Sequence, residues 1–495
     1  MWRRGLLVVT SLATIGLATW CLLPDTVIAS KTDRDEGVYL MTARLIQRGY
    51  DTHTFFFDQF YFFPKTLAAA FALFGDSLIV GRLAVFAFAL AGLAGIGALS
   101  YQLGTKWVGV LAAILICAID PLYIEQSRIV MADVPAMTCI VWSLVFVCLF
   151  QKSRRRLWLA LSGLFGGASL ILKPFAVGFV VTIIVVLFSQ RMRRENGRLK
   201  LDQAIWGDLL IVAAVAVAVA APFVDFLHPV NEYRRTVGFH LYERNWRVDN
   251  RWSGLFGFGG LSLPFLVFAI SGIAALRPLS TSMLALLGGA LATTGILLQM
   301  PPWLHHYLLI LPPLLIFSVL GFNRGFASFK QFVAELRSGR RSRSANNWTA
   351  LLFAGAVLIT LIDLPWLFYF DRRARFPQPF HLDEIVRYEE QHFRPDEYLL
   401  SDDALIPYLA DRLIPPPAIN LTFAGVLKFD PMSFPRFEQM IREYNVAGII
   451  VTNRYAEDPR LMSWLAINFP ISTEIGANHP DEVTARIYTP NREGR

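Results

Sequence analysis

The sequence predicts a polytopic α-helical membrane protein with about 11 transmembrane helices, followed by a small C-terminal α/β domain. Of its 495 residues, 55% are hydrophobic and only 17% are charged, whereas a soluble domain carries about 25% charged residues. Apolar stretches close to the ~20 residues that cross a bilayer as a helix recur between Leu6 and Phe370. Beyond residue 370 the long apolar stretches stop, which is typical of a soluble domain.

The predicted spans follow from the apolar stretches and from the need to satisfy backbone polar groups inside lipid. They lie at residues 5–26, 78–101, 107–124, 135–151, 157–172, 174–190, 205–224, 254–275, 281–299, 303–321 and 349–370. The first apolar run, Gly5 to Leu23, is longer than the 7–15 residues typical of a signal-peptide core. We therefore interpret it as a retained helix.

The distribution of basic residues predicts the orientation of these spans. With a cytoplasmic N-terminus, the inner segments carry 19 basic residues, and the outer segments 31–75, 120–134 and 225–253 carry 11. The positive-inside rule favours this arrangement in an inner (plasma) membrane. It also explains the net charge of +8 without nucleic acid. The four cysteines lie in apolar runs without CxxC spacing, so the pattern indicates neither a disulfide framework nor a thiolate metal site.

An odd number of spans places the tail outside the cytoplasm. We therefore divide the chain into a membrane domain, 1–370, and an extracytoplasmic α/β domain, 371–495. Within the tail, 397–412 predicts a strand, a turn and a helix, and 433–453 predicts a helix followed by a buried strand. Residues 458–469 predict another helix, and 484–490 a final strand.

Charged residues cluster in the predicted outer segments. The stretch "KTDRDEGVYLMTARL" contains Asp33, Asp35 and Glu36, and "SRIVMADVP" contains Arg128 and Asp133. Acids at a membrane edge are often merely solvated, and Arg128 and Asp133 can form a structural ion pair. Ionisable groups at membrane depth nevertheless usually face a cavity or a partner, which indicates function.

Two further motifs place polar side chains at the ends of apolar runs. In "LILKPFAVGF", Pro174 disfavours helical geometry at Lys173, so we expect the helix to break there. Lys173 can snorkel to the interface or meet a phosphate. In "QMPPWLHHYLLILPPLL", the adjacent His305 and His306 should point to different faces of a helix. We therefore expect them to make a poor pair of metal ligands. Their role is either to line a cavity with hydrogen-bonding groups or to lie in the interfacial belt of the membrane.

The order of these motifs resembles the GT-C superfamily of integral-membrane glycosyltransferases, in its protein O-mannosyltransferase-like branch (glycosyltransferase family 39), which includes the aminoarabinose transferases. The resemblance spans about 320 residues and is carried by five elements: "DEGVYLMTARLIQRGY", "LFGDSLIVGRL", "SRIVMADVP", "LILKP" and "HHYLLILPPL".

The resemblance implies transfer of a sugar from a polyprenyl-phosphate donor to a hydroxyl of a glycan, lipid or protein acceptor on the outer face of the bilayer. It implies Asp35 as catalytic base, with Glu36 and Asp133 as supporting acids. Substrate-binding residues implied in the same way are Tyr39, Lys65, Arg128, Lys173, His305, His306 and Tyr307.

Two features of the pattern leave questions open. The family often has a Lys/His-Pro-Pro element after the acidic loop, but "FFFDQFYFFPKTLAA" has one proline and a displaced Lys65. Clustered acids can also bind a divalent cation through oxygen ligands, so metal dependence is undecided at this point.

Two other classes of function fit the sequence less well than a transferase. A transporter or flippase of a lipid-linked sugar should place its charges near the bilayer midplane in broken helices of repeated halves. Here the charges gather at the outer ends of the spans, and the sequence has no evident internal repeat. This favours the enzyme. A structural subunit with a degenerate site is disfavoured because the acidic residues are present.

Overall fold

The computed structural model describes residues 2–24, 34–55, 57, 59–195, 198–238, 251–275, 280–299, 303–338, 350–351, 353–355, 357–358, 362, 382–419, 434–452, 459–475 and 485–490. The helices of the first part of the chain are α1 (Trp2–Leu22), α2 (Arg34–Gln47), α3 (Phe62–Phe74), α4 (Leu78–Gln102), α5 (Trp107–Ile119), α6 (Pro121–Arg128), α7 (Asp133–Ser153), α8 (Arg156–Leu172), α9 (Gly178–Arg191), α10 (Ala204–Ala220), α11 (Pro229–Tyr233), α12 (Arg251–Leu261), α13 (Leu263–Ala275), α14 (Thr281–Gln299) and α15 (Leu311–Arg337). Short 3₁₀ turns occur at Thr52–Thr54, Pro174–Val177, Ala221–Phe223 and Leu304–Ile310, and a hairpin of β1 (Met192–Glu195) and β2 (Arg198–Leu201) follows α9.

Six helical segments in the described part of the chain are long and apolar enough to cross a membrane, or seven if the bent pair α5–α6 is one span. They include α4, α7, α14, and α9, α10 and α15 with their adjoining 3₁₀ turns. The multi-pass helical class is therefore confirmed. The total of 11 remains a prediction, because the apolar segments Val9–Leu22 of α1 and Arg156–Leu172 are shorter than these six, and the span at 349–370 lies mostly outside the described residues.

Two predicted spans are not single helices. The span at 107–124 bends by 65° between α5 and α6, because Pro121 starts a new helix that Asp120 caps by accepting the Tyr123 N–H at 2.9 Å. The span at 254–275 is covered by α12 and α13, and Pro264 lacks the N–H that would bond back across their junction.

Packing identifies the centre and the edge of the bundle. In the apolar window of α7, 83% of the residues are buried, against 11% for α10. The centre of the bundle is therefore α7, while α10 presents its surface to lipid. Helix α10 packs on Gly163 and Gly167 of α8. A Cβ added at these glycines would lie 2.5 Å from the Val212 oxygen and 2.7 Å from the Ala216 Cα, respectively. This is the small-residue spacing that lets membrane helices approach closely.

The C-terminal part forms a four-stranded sheet with helices. Its elements are α16 (Leu382–His392), β3 (Leu399–Ser401), α17 (Leu405–Leu409), α18 (Phe434–Glu443), β4 (Gly448–Val451), α19 (Pro459–Asn468), β5 (Ile471–Ile475) and β6 (Ala485–Thr489). The strand order is β3-β4-β6-β5, with β3 parallel to β4 and the other pairs antiparallel. The predicted strands and helices form where expected. Strand β5 was not predicted, because as a largely exposed edge strand it lacks an apolar pattern.

This C-terminal sheet unit docks on α2 through α17. A Cβ at Gly37 would collide with the backbone of Leu405, so only glycine permits this approach. Arg44 of α2 pairs with Asp76, donates to the Tyr408 carbonyl at 2.9 Å and lies over the Tyr408 ring. The tail thus contacts the helix that begins at the acidic motif.

A buried carboxyl in the C-terminal unit gives a pH-dependent prediction. Glu389 of α16 is fully buried, and its oxygens accept no hydrogen bond from the described residues. Burial raises the pKa of Glu389 well above its ordinary value, although the positive charge of Arg412 opposes this. Since a raised pKa in the folded state favours the protonated form, the stability from Glu389 is present below the unfolded-state pKa and is lost as pH rises.

We therefore expect Glu389→Gln to raise the thermal unfolding temperature of the full chain in detergent more at pH 8 than at pH 5. The exposed neighbour gives the control, because Glu390→Gln should leave the unfolding temperature unchanged at both pH values. Equal shifts for Glu389→Gln at the two pH values would contradict the assignment.

Candidate active site

The site begins at the N-terminus of α2. Asp35 lies in the first turn of this helix, where the helix dipole favours a negative charge, and its side chain is half-buried. Tyr39 lies one turn further on, donates to the Gln59 side chain at 2.6 Å, and packs edge-on against Phe57 and Phe63. Asp35 therefore has a backbone held in a helix and a side chain that is partly accessible to solvent.

The side chain of Glu36 has a different environment from that of Asp35. It is fully buried, and its two oxygens accept hydrogen bonds of 2.9 Å from Nε and Nη2 of Arg82 in α4. It also accepts the Val130 N–H at 3.0 Å. Bidentate pairing of this kind is geometrically specific. Glu36 thus joins α2, α4 and the segment before α7.

Asp133 and Lys173 form the second part of the site. Asp133 is the first residue of α7, and Lys173 caps α8 in extended geometry, with φ −146° and ψ 106°. Proline at 174 causes this break, as predicted. The Lys173 Nζ lies 3.2 Å from Asp133 Oδ2, and both side chains are buried. Asp133 therefore pairs with Lys173, and no ion pair joins it to Arg128 in the described part of the chain.

The two histidines complete the cluster. Residues 304–310 form a 3₁₀ turn before α15, and the rings of His305 and His306 lie 4.4 Å apart. Phe175, which follows the break at Lys173, packs against the His306 ring at 4.9 Å. One ligand atom each from Asp133, His305 and His306 lies within 4.8 Å of the others. The expectation that adjacent histidines make a poor metal pair stays a prediction, although the segment is a 3₁₀ turn and not an α-helix.

These parts converge on one place. Asp133 lies within 4.8 Å of ligand atoms of both histidines and 3.2 Å from the Lys173 ammonium, and Asp35 is near enough for its charge to act on His305. Residues far apart in sequence, from α2, α7, the end of α8 and the turn before α15, are thus brought together. The arrangement combines an accessible carboxylate with a buried Asp–Lys pair and imidazoles. Such a set can accept a proton and stabilise an anionic leaving group.

The remaining predicted residues make other contacts. Lys65 in α3 is half-buried, with its ammonium 5.4 Å from the Phe223 ring. Arg128, at the end of α6, donates to the Cys21 carbonyl of α1 at 2.7 Å. Tyr307 is buried and stacks on Phe258, and its hydroxyl has no hydrogen-bond partner among the described residues. Asp33 and residues 239–250, which include Arg244 and Arg247, lie outside the described residues.

A divalent cation would find ligands in Asp133, His305 and His306, but this set does not fit one well. The Lys173 ammonium already lies 3.2 Å from Asp133 Oδ2 and would repel a cation there. The same ammonium is the cation of this cluster that could meet a phosphate. We therefore derive no step through a metal.

Sequence reasoning missed two residues that shape the site. Arg82 lies inside an apolar helix, and an arginine in such a place demands a partner, which was a usable signal. Phe175 carries no such signal, because an aromatic residue in an apolar run is most often ordinary core. Its position against His306 depends on the break at Lys173.

The comparisons with known proteins concern the fold. Residues 61–224 match the family model described as dolichyl-phosphate-mannose-protein mannosyltransferase. The fold is similar to that of ArnT from Cupriavidus metallidurans bound to undecaprenyl phosphate, with TM-score 0.63 and 14% identity over 99% of this chain and 98% of that chain. It is also similar to the oligosaccharyltransferase AglB from Archaeoglobus fulgidus in complex with an inhibitory peptide and a dolichol-phosphate, with TM-score 0.52 and 12% identity over 100% and 75% of the chains. No curated protein matches the sequence.

Proposed function

Because the chain has the fold of the GT-C membrane glycosyltransferases, we propose that it transfers a sugar from a polyprenyl-phosphate-linked donor to an acceptor hydroxyl at the outer face of the membrane. The observation that carries the proposal is the convergence of Asp133, Lys173, His305 and His306 at one site, with Asp35 near enough for its charge to act on His305. The acceptor belongs to a glycan, a lipid or a protein of the cell envelope.

The geometry supports a separate role for each group. Asp35 is half-exposed, so an acceptor hydroxyl can reach it, and general-base catalysis by such a carboxylate contributes about 10²–10⁴-fold. Lys173 is held by Asp133 and can stabilise the charge that develops on the leaving phosphate. The two imidazoles line the same place and can donate or accept hydrogen bonds. If the acceptor attacks opposite the phosphate, the anomeric configuration inverts.

The relatives support the choice of donor. ArnT was solved with undecaprenyl phosphate and AglB with a dolichol-phosphate, so two proteins of this fold bind polyprenyl phosphates. A lipid-linked donor also suits a chain whose charged site lies at the ends of apolar helices. The polyprenyl tail would remain in lipid while the phosphate meets Lys173.

We extend the proposal to the topology: an inner-membrane protein with a cytoplasmic N-terminus, a membrane domain at 1–370 and an extracytoplasmic domain at 371–495. The contact between α17 and α2 supports the placement of the C-terminal unit on the same side as Asp35.

A transporter of the same lipid is the second candidate. Its support is that helices break at Asp120 and at Lys173, as they do around many transport sites. The two functions differ in product, because a transporter moves the intact lipid-linked sugar, whereas a transferase releases polyprenyl phosphate. Detection of released polyprenyl phosphate in vesicles that contain the protein therefore discriminates between them.

Donor binding is tested at Lys173. In the fraction of protein that remains folded after the buried pair with Asp133 is broken, we expect Lys173→Met to weaken binding of undecaprenyl phosphate by about 10–100-fold, or roughly 1.4–2.8 kcal/mol, because the phosphate loses its cation. Lys173→Arg should retain most of the affinity, since it keeps the charge. The exposed Lys152 at the end of α7 is the control, and Lys152→Met should bind as the unmodified protein does. Equal affinity of all variants would refute the role of Lys173.

A further inference from the structure

A second cluster of metal-binding side chains lies outside the candidate active site. It consists of His53, in the 3₁₀ turn between α2 and α3, with Asp225 and His228, in the segment between α10 and α11. One ligand atom from each lies within 4.8 Å of the others. The three residues come from the first and third predicted outer segments, which are about 170 positions apart in sequence.

Two of the three distances between the ligand atoms are close to those of a tetrahedral metal site. The Asp225 Oδ2 lies 3.2 Å from His53 Nδ1 and 2.9 Å from His228 Nδ1. Bonds of 2.0–2.1 Å at tetrahedral angles place neighbouring ligands about 3.3 Å apart. Small side-chain shifts therefore accommodate an ion between the three atoms.

The surrounding hydrogen bonds orient the ligands. The other oxygen of Asp225, Oδ1, accepts the backbone N–H groups of Leu227 and His228 at 3.0 and 3.1 Å, which leaves Oδ2 for the histidines. The His53 N–H donates to Asp51, which caps the turn that holds His53. Such outer contacts fix metal ligands and strengthen their binding.

The site also has an entry path, because both histidines are well exposed, each at 59%. A fourth coordination position is therefore open to water. No ammonium or guanidinium pairs with Asp225 among the described residues, in contrast to Asp133, which pairs with Lys173. Of the two candidate clusters, this one suits a cation better.

We propose that His53, Asp225 and His228 bind a divalent transition-metal ion of the zinc class. Two imidazoles and one carboxylate suit such ions, whereas Mg²⁺ and Ca²⁺ prefer oxygen ligands. The bound ion cross-links the segment after α2 to the segment after α10. This site is distinct from the transfer reaction proposed above and does not depend on it.

Zn²⁺ titration of the purified full-length protein in detergent, after removal of metal by chelation, tests the site. We expect the unmodified protein to bind one Zn²⁺. The variants His53→Ala and His228→Ala should each bind Zn²⁺ at least about 100-fold more weakly, which exceeds the loss typical of a change outside the ligands themselves. Both side chains are exposed, so the fold should be unaffected. The exposed His392 of α16 is the control, and His392→Ala should titrate as the unmodified protein does.

Two further readouts tie the binding to these residues. Zn²⁺ should raise the thermal unfolding temperature of the unmodified protein and not of either cluster variant, because only the former gains the cross-link. Excess Mg²⁺ should not displace the ion. Unchanged Zn²⁺ affinity in both His53→Ala and His228→Ala, or displacement by Mg²⁺, would overturn the proposal.

Discussion

Replacement of Asp35 by Asn is expected to lower sugar transfer by about 10²–10⁴-fold, because the amide cannot take the proton of the acceptor hydroxyl. The side chain keeps its size at the first turn of α2, so packing and membrane insertion should be preserved. Release of polyprenyl phosphate from a lipid-linked sugar in vesicles measures the effect. Binding of undecaprenyl phosphate should change little, since Lys173 rather than Asp35 is assigned to the phosphate.

A matched control lies in the same outer segment. Asp51 is exposed and caps the turn at Thr52–Thr54, a role that Asn also fills, so Asp51→Asn should leave transfer intact. Full transfer activity in Asp35→Asn would remove Asp35 from its role as base. Equal losses in both variants would indicate a general effect of charge in this segment.

The second large effect is expected at the buried pair of Glu36 and Arg82. Arg82→Met leaves the Glu36 carboxylate fully buried without its cation, and breaking a buried pair in this way costs about 3–5 kcal/mol. Thermal unfolding and the yield of folded protein in detergent measure the loss. The Val130 N–H bond alone cannot compensate for the lost charge.

The double variant Glu36→Gln/Arg82→Met separates structure from catalysis. It removes both charges, so we expect it to be more stable than Arg82→Met alone. Because Glu36 is turned away from Asp35 into its pair with Arg82, we also expect transfer activity to return with stability. Restored stability without transfer would instead support Glu36 as a supporting acid in the reaction.

Much of the fold could be predicted from local patterns. The apolar spans, the C-terminal strands and helices, and the break at Lys173 each depend on neighbours in sequence. The sequence also contains a signal for the bend at Asp120, since aspartate followed by proline often starts a helix. It was missed because the apolar run continues across it.

The sequence predicts which residues belong to the site, but not which of them contact one another. The acids, Lys173 and the histidines stood out as polar groups at the ends of apolar runs. Their partners did not, because the pairing of Glu36 with Arg82, and of Asp133 with Lys173 rather than Arg128, depends on how distant helices pack. The requirement for glycine at position 37 was not predictable either, because it arises from the close approach of the Leu405 backbone in the C-terminal unit.

The most direct measurement is mass spectrometry of outer-envelope glycans, lipids and glycoproteins from three strains: with the gene, without it, and with Asp35→Asn. We predict a sugar modification that is present only with the unmodified gene, and its mass would identify both the sugar and the acceptor. Identical profiles in all three strains would contradict the central claim that this protein transfers a sugar to an envelope acceptor.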